Sequence, residues 1–263
     1  MSDRLSSSRM STGAQERVSF SNDRGETLSA IVHHPASGHL SKGAILCHGM
    51  ESNKESEKIV ALGQALAERG ILVLRFDFSC AGESSGKFED ITYSGEVRDL
   101  EAALKFILRY QVQRIAILGS SMGGTVGLLF AAQQKDLACL VTVAAPLHPE
   151  RFTERLLSPE EVTQWRKAGH ITYHGQRLNV SLLDDLEKIN VPEAARKVRC
   201  PLLIIHGDKD ETVPMDEAYE LYGIVAGSKR LYILQGGDHR LSNPSLLKRA
   251  VDESIDWITL HLQ

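Results

Sequence analysis

The pentapeptide Gly119-Ser-Ser-Met-Gly123 follows directly on an apolar run, Arg114-Ile-Ala-Ile-Leu118, and precedes a stretch with helical spacing near 122–134. In that setting G-x-S-x-G turns the chain sharply from strand to helix. The two glycines permit the reversal, and the central side chain, Ser121, stands exposed at its apex. A third glycine, Gly124, lets the helix pack close to the strand. Ser120 lies in the same loop, but only Ser121 has the central position. A serine hydroxyl is a weak nucleophile and needs a base. Of the ten histidines, His239 in Gly236-Gly-Asp-His239 follows the last apolar run. A glycine-flanked loop at the carboxyl end of a strand is where a parallel sheet presents functional groups. His48 and His206 also end apolar runs, but each is followed by a glycine and reads as part of a tight turn.

A base of this kind needs a carboxylate to fix its tautomer and to stabilise the imidazolium. The loop His206-Gly-Asp-Lys-Asp-Glu-Thr-Val-Pro214 offers Asp208, Asp210 and Glu211. Spacing leaves all three open; the chain order is serine, acid, histidine in each case. The remaining requirement is a pair of donors for the oxyanion of an acyl-transfer intermediate. The amide of the residue after the nucleophile, Met122, is one, and the loop after an earlier strand supplies the other. Cys47-His-Gly-Met50 is that loop.

Six short apolar runs must carry these loops: 43–47, 71–76, 114–118, 138–143, 201–205 and 229–234. Amphipathic stretches separate several of them, over 54–69 and 94–109, and a closing helix spans 245–261. Strands that are apolar throughout and alternate with helices imply a mostly parallel sheet covered on both faces. Ahead of them, Arg17–Phe20 and Leu28–Val32 read as a hairpin turning at Asn22–Gly25. One interval is too long for a plain crossover. About 147–198 holds a capped helix start at Ser158-Pro-Glu-Glu161, a stop at Gly169 and a second short helix at 181–189. It reads as a lid-like insertion over the strand ends. Trp165 and Tyr173 within it either pack it onto the core or line a substrate pocket. Arg151, Arg155 and Arg166 argue against a long lipid channel there. The expected layout is a disordered tail over 1–15 and one domain over 16–263.

Taken together, these residues resemble the α/β-hydrolase superfamily from about residue 17 to the end. More narrowly they resemble bacterial feruloyl/cinnamoyl esterase-like carboxylesterases. The resembling features are His48-Gly49 with Asn53 and Glu55, Arg75-Phe-Asp-Phe78, Gly82-Glu-Ser-Ser-Gly-Lys-Phe88, the elbow, the acid loop and Gly237-Asp-His239. The resemblance implies the α/β-hydrolase fold. It also implies Asp210 as the acid, ahead of Val213-Pro214, and Met50 as the second oxyanion donor. The chain departs from its relatives at Ser79-Cys-Ala-Gly82, where they carry a Gly-His-Gly-like turn, and at Ser120, where a histidine is commoner.

The implied activity is hydrolysis of a small-molecule carboxylic ester, short-chain or aryl, through an acyl-enzyme on Ser121. The same residues also serve a thioesterase, an acyl-aminoacyl-type peptidase or a carbon–carbon bond hydrolase. A non-catalytic binding module is the rival from a different class. No cofactor and no metal is implied; Cys47, Cys80, Cys139 and Cys200 have no ligand-like spacing. With a net charge of −4 and no basic stripe, no nucleic-acid partner is expected. No apolar run reaches ~20 residues and no secretory signal is evident, so neither a membrane span nor export is expected, and the expected location is the cytoplasm. The oligomeric state is left open, a homodimer included.

Overall fold

The computed structural model describes residues 13–36 and 41–263. In chain order its elements are β1 (Gln15–Ser21), β2 (Thr27–His33), β3 (Lys42–Cys47), α1 (Glu57–Glu68), β4 (Leu72–Phe76), α2 (Tyr93–Ile107), β5 (Arg114–Ser120), α3 (Met122–Ala131) and β6 (Leu137–Val143). There follow α4 (Phe152–Leu156), α5 (Pro159–Ala168), β7 (His170–Tyr173), β8 (Gln176–Asn179), α6 (Val180–Leu186) and α7 (Val191–Lys197). The chain closes with β9 (Leu202–Gly207), α8 (Met215–Ile224), β10 (Lys229–Leu234) and α9 (Pro244–His261). Of the expected polar tail, residues 1–12 lie outside the described residues, and Gln15 already opens β1.

Eight strands form one sheet in the order β1-β2-β4-β3-β5-β6-β9-β10. The first hairpin is antiparallel and β2 runs antiparallel to β4; every other pairing is parallel. The apolar runs make the buried centre. All six residues of β9 and all five of β4 are buried. Alternation along a strand divides the core in two. On β5, Ile115 and Ile117 join one apolar cluster, with Leu100, Val126 and Leu221 of α2, α3 and α8. Ala116 and Leu118 join the other, with Leu62 of α1 and Ile258 of α9. Helices thus cover both faces, as a parallel sheet requires.

Between β6 and β9 the chain makes the expected extra elements. Ser158 caps α5 through a reciprocal pair, Glu161 N–H to Ser158 Oγ at 3.2 Å and Ser158 N–H to Glu161 Oε2 at 2.7 Å. Gly169 ends the helix in the left-handed region at φ 76°. The β7–β8 hairpin was not anticipated. It is short and half-exposed: each strand has four residues, too few for the alternation of Ile171 and Tyr173 to announce it. Two hydrogen bonds anchor this segment on α2 and the turn before it: Asn179 Nδ2–H to Asp90 Oδ1 at 2.7 Å and Ser94 N–H to Asp185 Oδ2 at 3.0 Å. Its last helix, α7, packs on α3 and α8 within the helical layer.

Several charges are buried in the body of the fold. Lys54 Nζ lies 2.6 Å from both Asp77 Oδ2 and Glu83 Oε2, with Lys54 and Asp77 wholly enclosed. Glu96, on the first turn of α2, is buried with no partner for either carboxyl oxygen among the described residues. Burial first, and then the charge of Asp99, push its carboxyl well above the usual range.

Truncating Asp77 leaves Lys54 buried beside Glu83 alone. We expect Asp77→Ala to cost about 3 kcal/mol or more, read as a lowered urea midpoint at unchanged slope. Glu96 gives a pH signature. Its folded proton affinity exceeds the unfolded one, so its contribution is full below an unfolded pKa of about 4.3 and is lost as pH rises above it. Urea titrations of Glu96→Gln should therefore gain on wild type from pH ~4.3 upward, by as much as about 1.4 kcal/mol per pH unit. A constant difference across pH would show that Glu96 is ionised in the fold.

Candidate active site

The elbow forms where the strand-to-helix reading expects it. Ser121 lies between the last residue of β5 and the first of α3, with φ 52° and ψ −124°. This is left-handed backbone in a residue other than glycine, a strained state that its surroundings must hold. Its amide donates to the Val143 carbonyl of β6 at 2.8 Å, and its carbonyl accepts from Gly124 at 2.8 Å. The flanking glycines make the turn sterically feasible. A Cβ on Gly119 would fall 2.1 Å from the Gly123 carbonyl oxygen, and one on Gly123 would fall 2.4 Å from that of His48.

Ser121 Oγ lies 3.0 Å from His239 Nε2. The opposite ring nitrogen, Nδ1, lies 2.8 Å from Asp210 Oδ2 and 3.1 Å from Oδ1. A carboxylate only accepts, so Nδ1 carries the proton and Nε2 is left to accept from the serine. The Asp210 side chain is completely enclosed and receives the amides of Thr212 at 2.9 Å and Val213 at 2.7 Å. Burial by itself would raise its carboxyl. The hydrogen bonds from His206, His239 and the Val213 amide outweigh that and hold it well below the ordinary carboxylate range. The other two acids of the loop lie elsewhere. Asp208 accepts the Gly236 amide at 2.6 Å and so closes the loop after β10, while Glu211 is exposed.

The loop after β3 lies against the elbow. A Cβ on Gly49 would come within 3.2 Å of Ser121 Cβ. His48, buried beneath it, donates from Nδ1 to the Gly49 carbonyl at 2.8 Å and accepts the Phe78 amide on Nε2 at 3.1 Å. Burial is the main cause of its lowered proton affinity, so its ring is held neutral. Met50 follows in this loop. Met122 opens α3, where an α-helix leaves its first amides without intrahelical partners.

The two insertion aromatics part company. Tyr173 is half-buried at the tip of the β7–β8 hairpin, its ring stacked on His174 with centroids 4.0 Å apart. His174 Nδ1 lies 3.0 Å from Glu51 Oε1, and Arg240 lies 3.9 Å from Glu51 Oε2. Glu51 follows Met50 and Arg240 follows His239, so the hairpin tip is joined to both loops that flank Ser121. Trp165 is fully buried in the larger core cluster. A concavity of about 400 Å³ lies between the β1–β2 turn and α2, lined by Phe20, Ala102 and Phe106 among others and by none of Ser121, His239 or Asp210.

Sequence reading missed His48, His206 and Lys58. The first two look like turn residues because a glycine follows each. The Lys58 ammonium reaches Ser120 Oγ at 3.1 Å from α1, and no local motif announces such a contact.

Sheet order, elbow and strand-end loops define an α/β-hydrolase. Residues 39–189, more than half of the chain, match the family model described as serine aminopeptidase, S33, and the chain belongs to that family of hydrolases. It is 25% identical over 231 residues to the mitochondrial palmitoyl-protein thioesterase ABHD10 of Bos taurus, covering 83% of this chain and 74% of that protein. Among solved structures, Est1E from Butyrivibrio proteoclasticus with ferulic acid bound superposes with a TM-score of 0.81 at 24% identity, covering 92% of this chain and 99% of that one. Mouse alpha/beta hydrolase domain-containing protein 10 superposes with a TM-score of 0.77 at 22% identity, covering 92% and 98%. At such identities the superpositions establish the fold, and with the family match they bear out the α/β-hydrolase resemblance. Among the described residues no helix is long and apolar enough to cross a membrane.

The acid can be tested by two neighbouring substitutions. Asparagine at position 210 keeps the shape and holds the wrong imidazole tautomer, so Asp210→Asn should lower kcat by several orders, toward the ~10⁴ seen for such a change in serine proteases. Asp208→Asn keeps an oxygen for the Gly236 amide and should change kcat less than about threefold. Steady-state kinetics with one activated ester ranks the two; the reverse ranking would move the role to Asp208.

Proposed function

We propose that the chain is a serine hydrolase of carboxylic esters with short or aryl acyl groups, acting through an acyl-enzyme on Ser121. The observation that carries this reading is the continuous relay from Ser121 Oγ through His239 to the enclosed Asp210 carboxylate, at 3.0 and 2.8 Å, on a strained elbow. His239 Nε2 takes the hydroxyl proton as Ser121 Oγ bonds to the substrate carbonyl carbon. The carbonyl electrons move to oxygen, and the amides of Met50 and Met122 receive the resulting charge. The tetrahedral adduct collapses as His239 returns the proton to the leaving oxygen. Water then repeats the sequence on the acyl-enzyme and frees the acid. None of these steps calls for a metal or a cofactor.

The segment at about 147–198 acts as a lid in this reading, with Tyr173 at its hairpin tip forming one wall of the acyl or alcohol site. The support is the pairing of His174 at the tip with Glu51, which Arg240 approaches in turn. Trp165 is not assigned to the substrate; its burial suits a structural part. A thioester substrate is the second reading. It is favoured by the likeness to a palmitoyl-protein thioesterase over most of both chains. The chemistry differs only in a sulfur leaving group.

A fluorophosphonate probe should label the wild-type enzyme on Ser121 and leave Ser121→Ala unlabelled, with hydrolysis falling by at least about three orders. Retained labelling of the alanine variant would remove Ser121 from the nucleophile's role. On p-nitrophenyl esters kcat/KM should decline as the acyl chain lengthens from acetyl to palmitoyl. A palmitoyl thioester cleaved faster than every short ester would establish the second reading instead. Tyr173→Ala should alter KM unequally across the panel; a uniform change would take the residue out of the pocket wall.

A further inference from the structure

Lys58 stands on the first turn of α1, half-buried, with its ammonium 3.1 Å from Ser120 Oγ. Ser120 ends β5 and immediately precedes the residue read above as the nucleophile. The ammonium therefore sits under the elbow, on the face of the sheet covered by α1 and α9. Two carboxylates act on it from the neighbouring loops: Asp238, next to His239, and Asp210, the acid of the relay. Other charged and titratable groups around α1 are engaged elsewhere. From β2 and β4, His33 and Arg75 hydrogen-bond each other at 2.8 Å, and Arg75 also pairs with Glu55. From α9, Asp256 faces Arg69 beyond the far end of α1 at 3.8 Å. Burial is the largest influence on Lys58 itself and brings its ammonium down to about 8, so the group is charged at neutral pH and below.

Resting on the reading of Ser121, His239 and Asp210 as the catalytic relay, we propose that Lys58 is a positioning residue for it. Its hydrogen bond fixes Ser120 and hence the elbow, and its positive charge keeps the relay's imidazole in the neutral, basic form to lower pH than the carboxylates alone would allow.

The physical case rests on what else is close. Asp210 lies 2.8 Å from the imidazole and Asp238 is the residue before His239, and negative charge there favours the protonated ring, in which it is useless as a base. A cation near the same carboxylates opposes them. Because the site is partly enclosed, its field is screened less than that of a surface lysine. The cation does not touch the substrate or the reacting atoms. It acts through Ser120 on geometry and through space on the proton equilibrium. The two effects are separable, because one needs the Ser120 hydroxyl and the other needs only the charge.

The rate of Ser121 labelling by a fluorophosphonate, followed between about pH 5 and 9, reads both effects without a choice of substrate. Lys58→Met removes the cation, so the acid limb of the rate profile should move to higher pH, by about half a unit or more. Lys58→Gln serves as a second neutral variant should the first fail to fold, as judged by circular dichroism. Lys58→Arg restores the charge and should return the limb to its wild-type position. Ser120→Ala keeps the charge and loses the tether. It should slow labelling several-fold at every pH and leave the limb in place. Neutral variants whose limb coincides with wild type would overturn the proposal. An equal shift in Ser120→Ala would overturn it as well, by assigning the effect to the hydroxyl. Ser121→Ala is run alongside. If it still labels, the relay reading fails; if it does not label and the limbs coincide, only the role of Lys58 fails.

Discussion

The site depends on one strained residue. Ser121 is held with positive φ between a buried strand and a buried helix, at a cost of about 1–3 kcal/mol for such a backbone state. It persists because its surroundings leave no alternative. The Val143 carbonyl of the neighbouring strand takes its amide, and two glycines bring β5, α3 and the end of β3 into backbone contact. That closeness sets the rest of the geometry. Only loops at the carboxyl ends of the parallel strands can reach the hydroxyl. The loop after β3 lies on one side, and the loops after β9 and β10 bring Asp210 and His239 to the other.

The loop after β3 is positioned by buried polar groups. His48 holds the Gly49 carbonyl from below while accepting the Phe78 amide. Asp77 takes the backbone amide of Lys54 at 2.7 Å as well as its ammonium, and also the Glu83 amide at 2.9 Å. A buried ion pair seldom adds much net stability, because desolvation offsets the attraction. What this one adds is a defined place. Residues 53–55 and 77–83 are locked to each other beside the loop after β3, and a shift in either leaves a charge unmatched. Among the residues quoted for the family resemblance, Arg75–Phe78 and Gly82–Phe88 contain Asp77, Phe78 and Glu83 of this network.

The fold was legible because its signals were local. Uninterrupted apolar runs announce strands buried on both faces, and helix caps such as Ser158 and Gly169 state their own ends. Ser121 was legible for the same reason, since an elbow needs its glycines within two residues. His239 and the acid loop followed from their places after apolar runs, whereas Asp208 and Asp210 could not be separated by spacing. Only the structure shows one carboxylate facing the imidazole and the other closing a turn. α8 went unassigned because its apolar face is narrow, with only Ala218 and Leu221 buried among its apolar residues. Lys58 was out of reach altogether. Its contact with Ser120 joins positions sixty-two residues apart, and nothing in either neighbourhood encodes the other.

The arginines of the insertion show how far charge can be read from composition alone. In the sequence Arg155 and Arg166 look like a polar lining that would repel a long acyl chain. In the fold Arg155 pairs with the buried Glu217 of α8, and Arg166 pairs with Asp184 and Glu187 of the next helical segment. Their charges hold the insertion together and down onto the body, so they say little about what the site admits. His174, Glu51 and Arg240 join the hairpin tip to the loops after β3 and β10. A group that selects the acyl chain from that tip would share its anchorage with the groups that perform the chemistry. Substrate choice and reaction rate would then answer to the same few contacts, and Glu51, which touches both sides, is where they meet.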